Sequence, residues 1–150
     1  MLVVWVRQLR IRGDDPARSA PISKPFLIVL FFQAVIMLLI GAGLFIFPST
    51  FDPGWPWKLT PLTSRAIGAW LIGLGVFAAH AVAENDYSRI RPGVVSYIAF
   101  SLLELVALVR YPTSISWDQP ASWLYTGFLV SILLIGMFML PKLTKASHAD

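Results

Sequence analysis

The sequence predicts an all-α integral membrane protein: a bundle of four transmembrane helices preceded by a short N-terminal interfacial helix. Of its 150 residues, 57% are hydrophobic and only 13% are charged, whereas soluble domains are about 45–50% apolar and about 25% charged. Four apolar stretches approach or reach the length of about 20 residues that a bilayer-spanning helix needs. The alternating pattern of a membrane β-barrel is absent. This composition excludes a soluble enzyme, a disordered chain and a secreted disulfide scaffold.

The apolar stretches divide the chain into three parts. A basic N-terminal segment covers residues 1–25, the transmembrane domain covers 26–141, and a tail covers 142–150. The predicted spans cover about residues 26–47, 66–83, 94–109 and 122–140.

Prolines and hydroxyl residues mark the ends of these spans. Either Thr60-Pro61 or Thr63-Ser64 has the residue types that begin a helix, and would start the second span. Pro92 and Pro112 bracket the third span, and Pro141 ends the fourth. Since proline interrupts a helix interior, we expect the third span to be the shortest.

The first twelve residues, MLVVWVRQLRIR, have two interpretations. A short interfacial helix would bury its apolar residues in lipid and place its arginines among the headgroups. A frayed basic tail is the alternative. A cleaved signal peptide is not expected, because the apolar stretch that follows is too long.

Lysine and arginine are distributed unevenly between the two sides of the predicted bundle. The N-terminus, the second loop (84–91) and the tail together carry nine, and the first and third loops carry three. Because cytoplasmic loops are enriched in these residues, both termini are predicted to be cytoplasmic, in a bacterial cytoplasmic membrane. The lysines and arginines that set the orientation account for the net charge of +4. Nucleic acid is therefore not a predicted partner.

The first and third loops are aromatic. They contain Phe51, Trp55, Trp57, Tyr111, Trp117, Trp123 and Tyr125. Aromatic residues collect at the membrane–water interface because one end of each ring is apolar and the other is wet. The alternatives are an aromatic-lined pocket or a docking face for a partner.

The second span has many small residues, which allow helices to approach closely in lipid. The rows Ala69-xxx-Gly73 and Gly75-xxx-Ala79-xxx-Ala83 make this helix the expected centre of the bundle. A stripe of Arg65, Ala69, Gly73, Val76 and His80 is expected to face a stripe on the third span. That second stripe comprises Tyr97, Ser101, Glu104, Leu108 and Tyr111.

Glu104 is the leading candidate for a functional residue, because a carboxylate at mid-bilayer is costly. Aligning the predicted ends of the spans places it near the membrane middle, close to Gln33, Ser101 and Ser131. We expect it to be neutral or hydrogen-bonded. A structural hydrogen bond between helices and a proton-binding or ligand-binding role are both open.

His80 and Tyr97 form a second candidate group near the cytoplasmic boundary. The depth estimate puts them at the same level, so His80 is expected to bond either Tyr97 or a lipid headgroup. A part in ligand or proton binding is the alternative.

The sequence lacks the residues that several classes of chemistry require. With no cysteine and only two histidines, the chain offers no disulfide, no thiolate metal site and no bis-histidine haem. Phosphate-binding glycine loops, HExxH and a serine nucleophile elbow are also missing. No catalytic residue, metal or cofactor is therefore predicted, and an enzyme is the least favoured class.

The segment LTPLTSRAIGAWLIGLGV (residues 59–76) resembles small bacterial four-helix membrane proteins of DoxX-like layout. The shared features are an aromatic outer loop followed by Arg-x-x-Gly and spaced glycines that open the second helix. The resemblance implies a four-helix order for the chain and an association of some relatives with redox or quinone-linked membrane complexes. It assigns no catalytic residue.

Two hypotheses of function follow. The first is a non-catalytic accessory subunit or interaction module, whose partners are the bilayer and either another membrane protein or a second copy of the chain. The second is a carrier or binder of a small apolar molecule, a lipid or quinone, or of a proton. In that case Gln33, Glu104 and Ser131 would line a midplane pocket, with Ser101, His80 and Tyr97 as further candidates.

Overall fold

The structure, a computed structural model, describes residue 18 and residues 20–146, with side chains as far as residue 140. The predicted interfacial helix and the end of the tail lie outside the described residues. Five α-helices are present in this part of the chain: α1 (Lys24–Ile46), α2 (Pro48–Phe51), α3 (Pro61–Glu84), α4 (Tyr87–Arg110) and α5 (Pro120–Ala146). Short 3-10 turns follow α2 at Asp52–Gly54 and α4 at Pro112–Ser114.

Four of these helices are long and apolar enough to cross a membrane: α1, α3, α4 and residues 120–140 of α5. Large apolar side chains on their outer faces are exposed, among them Leu39, Leu103 and Leu124. Outward-facing leucine is stable in lipid but not in water, so the protein is an integral membrane protein. The predicted all-α bundle of four spans is confirmed.

The helix α3 begins where the first of the two predicted caps places it. The side chain of Thr60 accepts a hydrogen bond from the backbone N–H of Thr63 (3.2 Å), and Pro61 occupies the first turn. The helix ends at Asn85, whose φ of 48° is left-handed. Asparagine adopts this conformation more readily than most residues, and it closes the helix here.

The helix α4 starts at Tyr87, seven residues before the predicted span. Asp86 caps it by accepting a hydrogen bond from the backbone N–H of Ser88 (2.8 Å). Pro92 lies inside the helix rather than before it. It removes the backbone donor that would bond the carbonyl of Ser88, an exposed residue near the N-terminal end of the helix.

The predicted solvated loop 84–91 is therefore wrong: the connection is a turn of Asn85 and Asp86 alone. Asp86 is only 1% exposed. The carboxylate of Glu84 pairs with Arg89, which lies in α4, at 2.8 Å. This turn joins α3 to α4 as an antiparallel hairpin.

The segment before α1 lies against this turn, and we call the two together the clasp end (residues 20–23 and 84–87). The backbone N–H of Ile22 donates to the side chain of Asn85 (3.1 Å), and that of Tyr87 donates to the carbonyl of Ala20 (2.9 Å). Ala20 donates in turn to the carboxylate of Asp86 (3.3 Å). These bonds fix the chain that enters the first span.

Most close helix contacts occur within two pairs, α1 with α3 and α4 with α5. The α1–α3 crossing is built on glycine. A Cβ on Gly68 would lie 2.7 Å from the carbonyl oxygen of Gly41 and 2.8 Å from the backbone nitrogen of Phe45. Backbone therefore touches backbone, which accounts for the packing of α3 through small residues.

The face of α3 that packs is not the predicted one. The stripe that was expected to face α4 is entirely exposed: Arg65, Ala69, Gly73, Val76 and His80. The buried residues are Ser64, Gly68, Leu71, Gly75, Ala78 and Ala81. Glycines that meet α1 decide which side of α3 turns inward, and this rotates the predicted stripe toward lipid. On α4, three residues of the predicted stripe are buried: Tyr97, Ser101 and Leu108.

The last helix passes the residue predicted to end it. The α5 helix continues through Pro141 to Ala146. Proline there removes one hydrogen bond to the preceding turn without ending the helix. The predicted tail thus begins as helix.

Candidate functional site

A cavity of about 520 Å³ lies between α1 and α5. It is at the end of the bundle formed by residues 47–60 and 111–119, which we call the aromatic end. The α1 helix contributes Ile36, Met37, Ile40 and Leu44. The remaining lining residues are Phe51, Gly54, Trp55, Pro56, Leu71, Ala121, Leu124, Tyr125 and Phe128. Its walls are almost entirely apolar.

The roof of the cavity is the segment from Phe51 to Pro56. The ring of Phe51 packs directly on Gly43 of α1, which has no Cβ to obstruct it. The backbone N–H of Ser116 donates to the carbonyl of Pro56 (2.9 Å) and ties the first loop to the third. Proline and glycine in this segment bend the chain back over the bundle.

Three aromatic rings pack together at the edge of the roof. The ring centroids of Trp55, Trp57 and Tyr125 lie 5.4–5.5 Å from one another at steep angles. This edge-to-face arrangement matches the positive edge of one ring to the negative face of the next. The interfacial interpretation of these aromatic residues is thus incomplete, because Trp55 and Tyr125 also line a cavity.

Glu104 accepts a hydrogen bond from the hydroxyl of Tyr125 at 3.1 Å. The two residues belong to α4 and α5, and the bond joins these helices beside the cavity. Glu104 is half-buried. It lies six residues from the end of α4 at Arg110, a rise of about 9 Å. Glu104 therefore lies between the midpoint of α4 and the aromatic end.

The predicted association of Glu104 with Gln33, Ser101 and Ser131 is therefore wrong. The depth estimate took Val94 as the start of the third span, whereas α4 begins at Tyr87. Seven residues of helix shift the level of Glu104 by about 10 Å.

Gln33 and Ser131, which were predicted to cluster with Glu104, instead bond each other midway along α1 and α5. The side-chain amide of Gln33 donates to the hydroxyl of Ser131 (3.0 Å), which donates to the carbonyl of Phe128 (2.7 Å). The amide oxygen of Gln33 is buried without a hydrogen-bond partner among the described residues. Ser101 bonds only within its own helix, to the carbonyl of Tyr97 (2.9 Å). The bond between Gln33 and Ser131 links α1 to α5.

The expected bond between His80 and Tyr97 is absent. The hydroxyl of Tyr97 donates to the carbonyl of Leu74 (3.4 Å) and contacts the sulfur of Met37 (3.8 Å). The side chain of His80 is 63% exposed, 3.9 Å from Glu84. Ala78 and Ala81, which are fully buried, fix the inward face of α3, so His80 projects outward.

The residues that line the cavity are almost all apolar. Within the described residues, no group of three or more His, Cys, Asp and Glu side chains is placed to hold a metal ion. Tyr125, which donates to Glu104, has the one side-chain hydroxyl among the residues that line the cavity. The geometry provides an apolar space that is lined in part by the rings of Phe51, Trp55 and Tyr125 and bordered by the Glu104–Tyr125 pair.

The sequence contained only a partial signal for this cavity. The aromatic loop and Tyr125 were identified, with a pocket as one alternative, but nothing local pointed to Ile36, Ile40 or Ala121. Comparison of the chain with protein-family models, curated proteins and solved structures gave no match.

Proposed function

We propose that the protein binds a small apolar molecule, taken from the bilayer, in the cavity at the aromatic end. The observation that carries this proposal is the cavity itself. Its volume of about 520 Å³ falls within the range of about 300–1,000 Å³ typical of small-molecule sites. Of the two sequence hypotheses, this is the carrier or binder, with its site moved from the midplane cluster to the space between α1 and α5.

The way the cavity walls are held supports a ligand site. Phe51 is fixed against Gly43, and Trp55 is fixed against Tyr125. Rigid rings lose little conformational entropy when a ligand binds, so preformed walls of this kind favour affinity. Ile36 and Ile40 are both lining residues and partly exposed on α1, which gives a hydrocarbon ligand a lateral route from lipid.

The proposal is tested by filling the cavity from α1. Ile40→Trp places a bulky ring in the space, whereas Leu39→Trp adds the same ring to a residue that is 67% exposed and outside the cavity. A hexadecane probe that carries a photoreactive diazirine should label peptides from α1 and from the start of α5. We expect Ile40→Trp to reduce this labelling several-fold and Leu39→Trp to leave it unchanged. Equal labelling of the two variants would contradict the proposal.

An accessory subunit is the second candidate, and one observation favours it. The exposed stripe of α3 carries small residues at Ala69 and Gly73, and a Cβ added to Gly73 would meet nothing within 4 Å. Small residues at a lipid-facing surface let a partner helix approach closely. Copurification from native membranes tests it: a stoichiometric partner should be lost in Gly73→Trp and retained in Leu39→Trp.

The membrane in which the protein lies and its orientation there are proposed from the sequence. The uneven distribution of lysine and arginine supports cytoplasmic termini in a bacterial cytoplasmic membrane. The DoxX-like resemblance of residues 59–76 supports the same setting. On this orientation the cavity opens in the outer half of the bilayer.

A further inference from the structure

Three basic side chains converge on Glu84, the last residue of α3. Arg18 donates through Nε to the backbone carbonyl of Glu84 (2.7 Å), and Arg89 donates through Nη1 to its carboxylate (2.8 Å). The other carboxylate oxygen lies 3.9 Å from Nε2 of His80. Two arginines that are distant in the sequence are therefore held on one residue. We call this group the Glu84 cluster (Arg18, His80, Glu84 and Arg89).

The Glu84 cluster lies on the outer surface of the bundle, at the clasp end. One apolar span ends at Glu84 and the next begins at Tyr87, so this is the level at which the helices leave the hydrocarbon. His80 precedes Glu84 by one turn and shares its face of α3, and the side chain of His80 is 63% exposed. The neighbours of this face at this level are lipid head groups.

The charges of the Glu84 cluster do not cancel. Glu84 and Arg89 form an ion pair, whereas Arg18 is exposed and forms no ion pair with any of the described residues. Because Arg18 gives its Nε proton to a carbonyl, the N–H groups of its two Nη nitrogens still have donor capacity. Asp86, the other carboxylate of the clasp end, is only 1% exposed. The surface therefore offers one uncancelled positive charge with a planar set of donors.

A guanidinium group of this kind matches the oxygens of a phosphate, which it can bind through two parallel hydrogen bonds. We propose that the Glu84 cluster binds the phosphate of an anionic phospholipid, which accepts from the Nη groups of Arg18. Glu84 is the positioning residue, since its carbonyl orients Arg18 and its carboxylate orients Arg89. A zwitterionic phospholipid binds less tightly, because its ammonium group brings a second positive charge to the same place.

The test compares dioctanoyl phosphatidylglycerol with dioctanoyl phosphatidylcholine, which have the same chains and the same phosphate but differ in net charge. An equimolar mixture is added to the purified protein in a non-ionic detergent, and native mass spectrometry measures the ratio of the two lipids bound. We expect a preference of about fivefold for phosphatidylglycerol, the contribution of one arginine at a membrane surface. In Arg18→Gln this ratio should fall toward one.

Two further variants control for charge and for structure. Arg91 is also exposed and lies near the same end of α4, but it bonds no residue of the Glu84 cluster in the described part of the chain. Arg91→Gln should therefore keep the ratio. Arg18→Lys retains the positive charge and loses the planar fork, so it should keep most of the preference.

Each other result contradicts a particular step. Equal reductions in Arg18→Gln and Arg91→Gln would overturn the site, because the diffuse charge of this end would then account for the preference. Equal binding of both lipids by the unaltered protein would overturn it directly. If inorganic phosphate displaces the phosphatidylglycerol, the ligand is free phosphate and not a lipid. An equal loss in Arg18→Lys and Arg18→Gln would refute the role of the charge.

This proposal does not depend on the apolar cavity, which lies at the opposite end of the bundle. Both probes have the same chains, so a chain that enters the cavity contributes equally to the binding of each. The ratio of the two lipids therefore reports the head-group site alone.

Discussion

At the scale of single residues, Glu104 shows how its position along a helix determines what a carboxylate costs. At mid-bilayer an acidic side chain costs about 2.5–3.5 kcal/mol on insertion scales, and the cost falls toward the membrane surface. Glu104 lies six residues from the end of α4 and bonds the hydroxyl of Tyr125. Its carboxylate therefore has a partner, the hydroxyl of Tyr125, that donates to it beside the cavity.

A double-mutant cycle measures the strength of this bond. Glu104→Leu leaves the hydroxyl of Tyr125 without its acceptor, so we expect a loss of about 0.6–1.7 kcal/mol, the range for hydrogen bonds between membrane helices. Glu104→Gln keeps an acceptor and should lose less. The free energies of unfolding in detergent are compared for Glu104→Leu, Tyr125→Phe and the double variant. Additive losses would show that the two residues do not interact.

Gln33 presents the opposite case, a polar residue whose bonds are incomplete. Its side-chain nitrogen bonds Ser131, while its oxygen is buried without a partner in the described part of the chain. Because an unsatisfied acceptor offsets what the other bond contributes, Gln33 adds little net stability to the bundle.

At the scale of helices, glycine decides which faces meet. Gly41 and Gly68 bring the backbones of α1 and α3 into contact, whereas Gly73 on the same helix has open space beside it. Gly68 and Gly73 both belong to the set of small residues that the sequence places along α3. Only their partners in space distinguish a contact glycine from a surface glycine.

Replacement of these two glycines by alanine tests the assignment. In Gly68→Ala the new Cβ would lie 2.7 Å from the carbonyl oxygen of Gly41, so α1 and α3 must separate. We expect a loss of about 1–3 kcal/mol, the usual result of overpacking. Gly73→Ala should be neutral or slightly stabilising, since alanine favours helix. Thermal unfolding in detergent measures both, and similar melting temperatures for the two variants would refute this packing.

Asp86 determines where α4 begins, because its side chain caps the first turn of that helix. Its carboxylate accepts from the backbone of Ser88 and of Ala20 at the clasp end. Asp86→Ala removes a helix cap and leaves buried donors without an acceptor, so we expect a loss of about 1–3 kcal/mol. Asp118→Ala, at an exposed position, is the matched control. If thermal unfolding finds the two variants equally stable, the cap has no structural role.

At the scale of the whole molecule, the protein consists of two helix pairs that meet more closely at one end than at the other. Toward the clasp end the pairs touch through Phe26 and Phe138, and through Phe77 and Tyr97. At the aromatic end the cavity separates α1 from α5. The fold therefore combines a more closely packed half with a half that contains a cavity.

The orientation of these two ends is predicted from charge and is testable in a chain without cysteine. Single cysteines at positions 54 and 118 belong to the aromatic end, and a cysteine at position 88 lies next to the clasp end. With cytoplasmic termini, an impermeant thiol reagent added to intact cells should label positions 54 and 118 but not 88. Labelling at 88 alone would reverse the orientation and place the cavity in the inner half of the bilayer.

The sequence by itself determined the class of the protein and the number of its spans. Hydrocarbon accepts only apolar surface and internally bonded backbone, so composition and stretch length suffice for that prediction. The sequence narrowed the start of α3 to two candidates, Thr60-Pro61 and Thr63-Ser64, because a cap acts on its own turn. The sequence placed Gln33 and Ser131 at a similar depth, but it offered both as partners of Glu104 and did not predict their bond to each other.

The tertiary structure alone decided which faces pack and where the site lies. The rotation of α3 about its own axis is set by the contact of Gly41 with Gly68. The other small residues of α3 look the same in the sequence, so the sequence does not show which of them touch α1. The start of α4 at Tyr87 depends on Asp86, whose carboxylate also receives the N–H of Ala20 from a distant segment. That start moves Glu104 along the bundle to Tyr125. The cavity belongs to no single segment, because its walls come from two helix pairs and a loop that meet only in space.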